Sequence, residues 1–150
     1  MNPKEFHDQL KTGAFVLVDH PDKSNIMTIG WGGLVRMWNR DIVMVPVRTN
    51  RYTHELLDGV DEFIVAVPPE GEMLEELSFC GSRSGRDTDK LDRFHRTEQG
   101  GLTGCKNYRA RIVMRQDMVD TNLKPDLLER HYPEKNMHTL YYCEIEHIDD

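Results

Sequence analysis

A chain of 150 residues with 38% apolar and 30% charged side chains is long enough to bury a real core, and is read as one domain spanning 1–150. Its net charge of −7 excludes a general nucleic-acid binder, which needs a basic face to neutralise phosphates. Any anion held by this chain must therefore be held by a local cluster of cations.

In chain order, the first ten residues read as a short amphipathic lead-in or helix. "AFVLVD" (14–19) reads as a strand, closed by the turn "HPDKSN". "IMTIGW" (26–31) and "GLVRMW" (33–38) read as strands with a bend at Gly32–Gly33. "IVMVPVR" (42–48) is the next strand, and Pro46 within it points to a sheet edge or a bulge. "THELLDG" (53–59) has the form of a short helix, with Thr53 as N-cap and Gly59 closing it. "EFIVAV" (62–67) is a strand stopped by Pro68–Pro69. "EMLEELSFCG" (72–81) carries Met73, Leu74, Leu77 and Cys80 at helical spacing, with Gly81 as its C-terminal cap. "DTDKLDRFHR" (87–96) and "KPDLLERHY" (124–132) read as short helices, and "ARIVMR" (110–115) and "HTLYYCEIEHI" (138–148) as late strands. Many short strands with few helices suggest a mainly β protein, a small barrel with short helical decorations.

Three cysteines, Cys80, Cys105 and Cys143, show no paired spacing and read as reduced thiols. The opening "MNPKEFHDQL" has no apolar run of a signal peptide, and nothing reaches the roughly 18 apolar residues of a membrane span. The expected location is cytoplasmic, with no membrane and no nucleic acid among the partners.

Two arginine-bearing turns stand out against the acidic background. "VRTNRYT" (47–53) leaves a strand and enters a helix, offering Arg48, Arg51 and the polar groups of Asn50, Tyr52 and Thr53. Helix N-termini and arginine forks both suit phosphate. "GSRSGRD" (81–87) adds Ser82, Ser84 and Arg86, with Gly85 permitting the turn. Each alone is equally well a solvated turn; the two together suggest one shared anion site. Neither matches G-x-x-x-x-G-K-[ST] or G-x-G-x-x-G. "NIMTIGWGGLVRMW" (25–38) is thinned by glycine, which fits either a flat heterocycle read by main-chain groups or a barrel corner in which Trp31 and Trp38 fill core. The seven histidines and three cysteines give no zinc spacing, and no Gly-x-Ser-x-Gly elbow exists.

The stretches "NIMTIGWGG", "WNRDIVMVPVRTNRYTHELL", "EFIVAV", "CGSRSGRDTDKL", "GLT" and "HTLYYCEIEHI", in that order, resemble the flavin reductase-like, FMN-binding split-barrel family, in its flavoredoxin branch. The resemblance implies an FMN-binding split β-barrel, usually a homodimer. It places Arg48, Asn50, Arg51, Tyr52 and Thr53 at the phosphate and ribityl chain, and Ser82, Ser84, Gly85 and Arg86 at the same phosphate end. Met27, Thr28, Ile29, Gly30 and Trp31 would border the isoalloxazine ring. It implies an oxidoreductase of the flavin reductase type, taking hydride from NADH or NADPH to flavin and on to an electron acceptor that the sequence does not identify. The alternatives are an FMN electron-transfer protein without its own nicotinamide site and a non-catalytic barrel that serves as a binding module. No catalytic side chain is assigned and no metal is implied. The chain departs from the family in Gly30 and Asn50, where serine is common, in Pro46, and in a shortened segment after Thr103.

Overall fold

The computed structural model describes all 150 residues. Asn2 opens helix α1 (Pro3–Leu10), its side chain accepting from the amides of Lys4 and Glu5 at 3.0 and 3.1 Å. Phe6 and Leu10 turn inward from it. Then come β1 (Ala14–Asp19), β2 (Ser24–Ile29), β3 (Gly33–Met37) and β4 (Arg40–Arg48). Helix α2 (Tyr52–Leu57) and β5 (Glu62–Val67) follow, then α3 (Leu74–Ser82), β6 (Lys106–Asp117), α4 (Pro125–His131) and β7 (His138–Asp149).

The strands form one antiparallel sheet of seven in the order β2-β1-β5-β6-β7-β4-β3. Alternation along β1 sorts its residues between two apolar clusters. Ala14, Val16 and Val18 join the inward residues Val43, Val45 and Val47 of β4, Phe63 and Val65 of β5, and Tyr141 and Cys143 of β7, under α1 and α2. Phe15 and Leu17 face the other way, into a second cluster with Ile26, Leu77, Cys80 and Leu102 beneath α3. β1 is thus buried on both faces and carries the load of both clusters.

The expected split β-barrel is not what forms. The sheet curls round the first cluster but stays open, with β2 and β3 as its two edges. The reason lies in the segment joining them. Gly32 has φ +137°, and a Cβ there would stand 2.6 Å from the carbonyl oxygen of Met44. The chain is therefore pressed onto β4 at this point, and β3 runs back along β4 instead of continuing beside β2. Register between β3 and β4 ends at the pair Gly33 and Met44, so β4 from Val45 onward has no neighbour on that side. Pro46, which lacks an N–H, sits in this uncovered stretch while still paired in register with Leu140 of β7.

Several local expectations are corrected as well. Arg51, not Thr53, is the N-cap of α2; Thr53 is buried inside it and accepts from the Asn25 side chain at 3.0 Å. Helix α3 runs through Gly81 to Ser82 instead of stopping at a glycine cap. Residues 87–96 hold only a 3-10 turn at Lys90–Arg93. Trp38 and Asn39, at φ 54° and 57°, form the two-residue tip between β3 and β4, so Trp38 ends no strand. Neither tryptophan fills core: Trp31 is 44% and Trp38 49% exposed.

Replacing Gly32 with alanine forces a side chain into a left-handed backbone and against the Met44 carbonyl. A loss of at least about 1–3 kcal/mol is expected in urea unfolding; unchanged stability would contradict the close approach of Gly32 to the Met44 carbonyl.

Candidate functional site

The opening of the sheet is where the sequence-predicted residues gather. β2 pairs only with β1, and β4 past Met44 pairs only with β7, so each presents unpaired main-chain N–H and C=O groups outward. A cavity of about 160 Å³ lies here, lined by Met27, Thr28, Ile29, Gly30 and Trp31 from β2 and the segment after it, by Pro46 and Arg48 of β4, by Arg51, and by His138 of β7. A second cavity of about 220 Å³ adjoins it, lined by Asn25, by Asn50, Arg51, Tyr52 and Thr53, by residues 81–86, and by Lys90. Arg51 lines both. Each alone is smaller than the roughly 300 Å³ at which single-ligand clefts begin; the two share Arg51 as a lining residue and together are the cleft at this opening.

The two arginine-bearing turns are tied to each other. Gly85 packs against Asn25 and Tyr52 so closely that a Cβ would lie 2.9 Å from the Tyr52 ring, which is why glycine stands there. Lys23 donates to the Gly85 carbonyl and pairs with Asp89 at 3.0 Å. Arg86 reaches back to the Asn50 carbonyl at 3.3 Å and pairs with Glu55. Lys23 and Arg86 both lie 5.4 Å from the centre of the Tyr52 ring. Ser84 accepts from the Arg86 amide at 3.2 Å, while Ser82 is turned back to the Phe79 carbonyl at 3.4 Å.

Lys90 and His138 are residues of the site that sequence reasoning missed; Lys90 stands at the inner end. It is 2% exposed, yet no carboxylate faces it. Its ammonium donates to the carbonyls of Cys80 and Arg83, at 3.3 and 3.0 Å, at the C-terminal end of α3. Burial, with the charges of Arg51 and Lys23 adding to it, brings its pKa down to about 8. Arg51 is held below its usual value by burial and by Arg48, again with no acid nearby. The inner end of the cleft is therefore a pair of desolvated cations lacking a counter-charge, which an anion would supply. The string "DTDKLDRFHR" that contains Lys90 reads only as a short helix.

Arg48 takes a different position from Arg51. It lines only the cavity bordered by β2, and its guanidinium donates to the carbonyls of His131 and Asn136, both at 3.0 Å. It lies 4.9 Å from the Tyr132 ring centre and 6.0 Å from that of Trp31. Trp31 in turn packs at 5.2 Å against both His131 and His138. His138 is buried, and desolvation, helped by Arg48, lowers its pKa to about 4, so the imidazole is neutral near pH 7. Thr28 is committed to the Leu77 carbonyl at 2.6 Å, which docks α3 onto β2.

No nucleophile is poised here. All three cysteines are free and buried, and burial first of all pushes their thiols up, Cys80 to about 11 and Cys105 and Cys143 to about 12. No group of His, Cys, Asp and Glu has the arrangement of a metal site, and no helix is long and apolar enough to cross a membrane. The cleft offers donors, cations and a wall of apolar and aromatic groups, which suits a flat, acceptor-rich molecule with an anionic end.

This architecture has known relatives. The FMN-binding protein of Thermus thermophilus, solved with bound 1-cyclohex-2-enone, superposes with a TM-score of 0.67 at 20% identity over 89% of this chain and 66% of that one. Flavoredoxin of Methanosarcina acetivorans does so with a TM-score of 0.67 at 22% identity, over 92% of this chain and 68% of that one. An NADH:FAD oxidoreductase of Streptomyces globisporus C-1027, in complex with NAD and FAD fragments, gives 0.65 at 15% identity over 95% and 79%. The chain thus shares the fold of the flavin reductase-like, FMN-binding proteins, flavoredoxins included, and spans about two thirds of the length of the first two. By sequence it is 26% identical over 148 residues to an uncharacterised protein of Archaeoglobus fulgidus, covering 99% of this chain and 76% of that protein. No family model matches it.

The neutral His138 has a consequence for stability. Between its folded pKa of about 4 and the ordinary value near 6.5, the unfolded chain binds a proton that the folded chain does not. Stability from this group is full above pH 6.5 and falls as pH drops to 4. In urea midpoints measured against pH, His138→Gln should flatten that slope relative to the unmodified chain; parallel profiles would contradict a buried neutral imidazole.

Proposed function

We propose that the chain binds FMN in this cleft and works as a flavin-dependent oxidoreductase of the flavin reductase type, with NADH or NADPH as the hydride donor and a further electron acceptor. The observation that carries the reading is Lys90: a buried ammonium without a carboxylate, opening with Arg51 into the cleft. The fold is shared with proteins described as FMN-binding and as flavoredoxin, which supports the choice of ligand.

On this reading Lys90 and Arg51 neutralise the phosphate. The backbone and side chains of residues 81–86, with Asn50, Tyr52 and Thr53, surround it and the ribityl chain. The free edge of β2 from Met27 to Ile29, with Gly30 and Trp31, borders the ring, and Arg48 puts a fixed positive charge beside it. Bound FMN would supply hydride and electron-transfer chemistry that none of these side chains supplies. The protein's part is binding, orientation and charge. A positive group near the ring favours electron-rich states of a flat heterocycle, and Arg48, fastened by two carbonyls, holds such a charge without needing to move.

An electron carrier without its own nicotinamide site is the second reading. It is favoured by the small volume of the ring-side cavity, about 160 Å³, which leaves little room for a second ring within one chain. The assembly proposed is a homodimer. Its contact surface on this proposal is the outer face of the β3–β4 hairpin, where Val35, Met37 and Trp38 are 38%, 45% and 49% exposed.

The protein as purified should show a flavin absorption spectrum and release FMN on denaturation, or take up added FMN with a rise in thermal midpoint. A colourless protein that takes up none would overturn the reading and favour a binding module. Arg51→Ala removes a charged hydrogen-bond donor, worth about 1.5–3 kcal/mol, and should raise the FMN dissociation constant roughly ten- to a hundredfold. Lys90→Met should weaken FMN comparably while leaving riboflavin, which has no phosphate, unchanged. Equal loss for both ligands would place the phosphate elsewhere. Rapid reduction of the bound flavin by NADH or NADPH separates the reductase from the carrier.

A further inference from the structure

The ring-side cavity contains one polar group that neither the resemblance nor the fold assigns. His138 opens β7 and stands in register with Arg48 across the β4–β7 ladder. It is 8% exposed. Its Nδ1 lies 2.6 Å from the hydroxyl of Tyr132. Its Nε2 makes no hydrogen bond within the protein, yet no buried side-chain nitrogen or oxygen is left without a partner. Nε2 is therefore the part of this ring that remains accessible, and the cavity is what His138 lines.

The tautomer follows from acidity. A phenol is the stronger acid and a neutral imidazole nitrogen the stronger base, so the short contact is an O–H of Tyr132 donating to Nδ1. The imidazole proton is then on Nε2. The neighbouring groups hold this arrangement in place: Arg48 lies over the Tyr132 ring and is tied to the carbonyls on either side of it, while Trp31 packs against His138 itself. A histidine serving only to fill space would have no need of a tyrosine fixed so as to leave its second nitrogen a donor.

Resting on the FMN reading of the cleft, we infer that His138 is a specificity-determining residue of the ring end: its Nε2–H donates to a carbonyl oxygen of the bound ring, and Tyr132 is the positioning residue that sets its tautomer. The cavity then reads a flat ring by a side-chain donor as well as by the free edge of β2. It selects rings bearing a carbonyl at that edge over hydrocarbon rings of the same size, because the donor would otherwise be buried without a partner.

The test is a set of fluorescence titrations of the full chain with FMN and with lumiflavin, which has the ring but neither ribityl chain nor phosphate. His138→Phe should raise both dissociation constants by the same factor, roughly three- to tenfold, as expected for one net hydrogen bond. It should also move the long-wavelength absorption maximum of bound FMN. His138→Gln, which keeps an N–H, should restore most of the affinity, a rescue that a space-filling role does not produce. Tyr132→Phe should give an intermediate loss for both ligands, and it carries the test if His138→Phe does not fold. Unchanged affinity for both ligands in a folded variant overturns the inference, as does a loss confined to FMN, which would put His138 at the phosphate end. An unmodified chain that binds neither flavin overturns the FMN reading and this inference with it, and is recognised before any variant is made.

Discussion

The constraint on which the rest depends is the close approach of Gly32 to the Met44 carbonyl. It sends β3 back along β4, leaves β2 and the far half of β4 each with a partner on one side only, and so keeps the sheet from closing. An exposed strand edge is a liability in most proteins, because its unpaired groups invite other strands. Here the uncovered stretch is short, Pro46 removes one donor from it, and Trp31, Arg48 and His138 line the cavity beside it. What is left is a slot whose walls are main-chain hydrogen-bonding groups on one side and aromatic and cationic groups on the other. Of the glycines at 30, 32 and 33, packing within the protein accounts for one, since a Cβ on Gly30 would make only an ordinary 3.5 Å contact with the Leu10 carbonyl. Gly32 is needed for contact within the protein, whereas a Cβ on Gly33 would meet open space.

A second feature runs against stability. Lys90 and Arg51 are desolvated beside each other, and both are held below their ordinary pKa by burial. In an acidic chain with 26 carboxylates to 19 lysines and arginines, nothing prevents an acid from standing next to them, yet none does. The surrounding cations behave otherwise: Lys23 has Asp89 and Arg86 has Glu55. That division, paired cations at the rim and unpaired ones inside, is the pattern of a site that forgoes stability in its empty form for affinity in its filled one. On the proposed function the same two residues hold the phosphate, so the apoprotein should be the less stable form for a reason located at this spot.

Much of the fold was legible because its strands are short, apolar and bounded by turn residues; 14–19 and 62–67 are strands with the bounds that their patterns imply. The topology was not, since it rests on long-range register. β6 lies between β5 and β7, and its pairing with β7 carries shifts near Asn107 and Ile112 that no local pattern encodes. The hairpin tip was hidden because Trp38 and Asn39 adopt positive φ without a glycine to announce it. The two arginine-bearing turns were recognisable by composition, and the structure brings them together through Gly85 and Arg86. Arg48 and Arg51, three residues apart, looked equivalent in sequence. Tertiary hydrogen bonds to His131 and Asn136 hold one in the cavity bordered by β2, while the other lines both cavities. Lys90 and His138 were illegible for one shared reason: their chemistry comes from burial and from what is missing around them, which only the packed structure displays.

The most direct test of the account is a crystal structure of the chain grown with FMN. The phosphate is expected between Lys90 and Arg51 and the ring against the free edge of β2, beside Arg48 and His138. A flavin bound anywhere else, or one whose phosphate lies at Arg48 with Lys90 uninvolved, would contradict it.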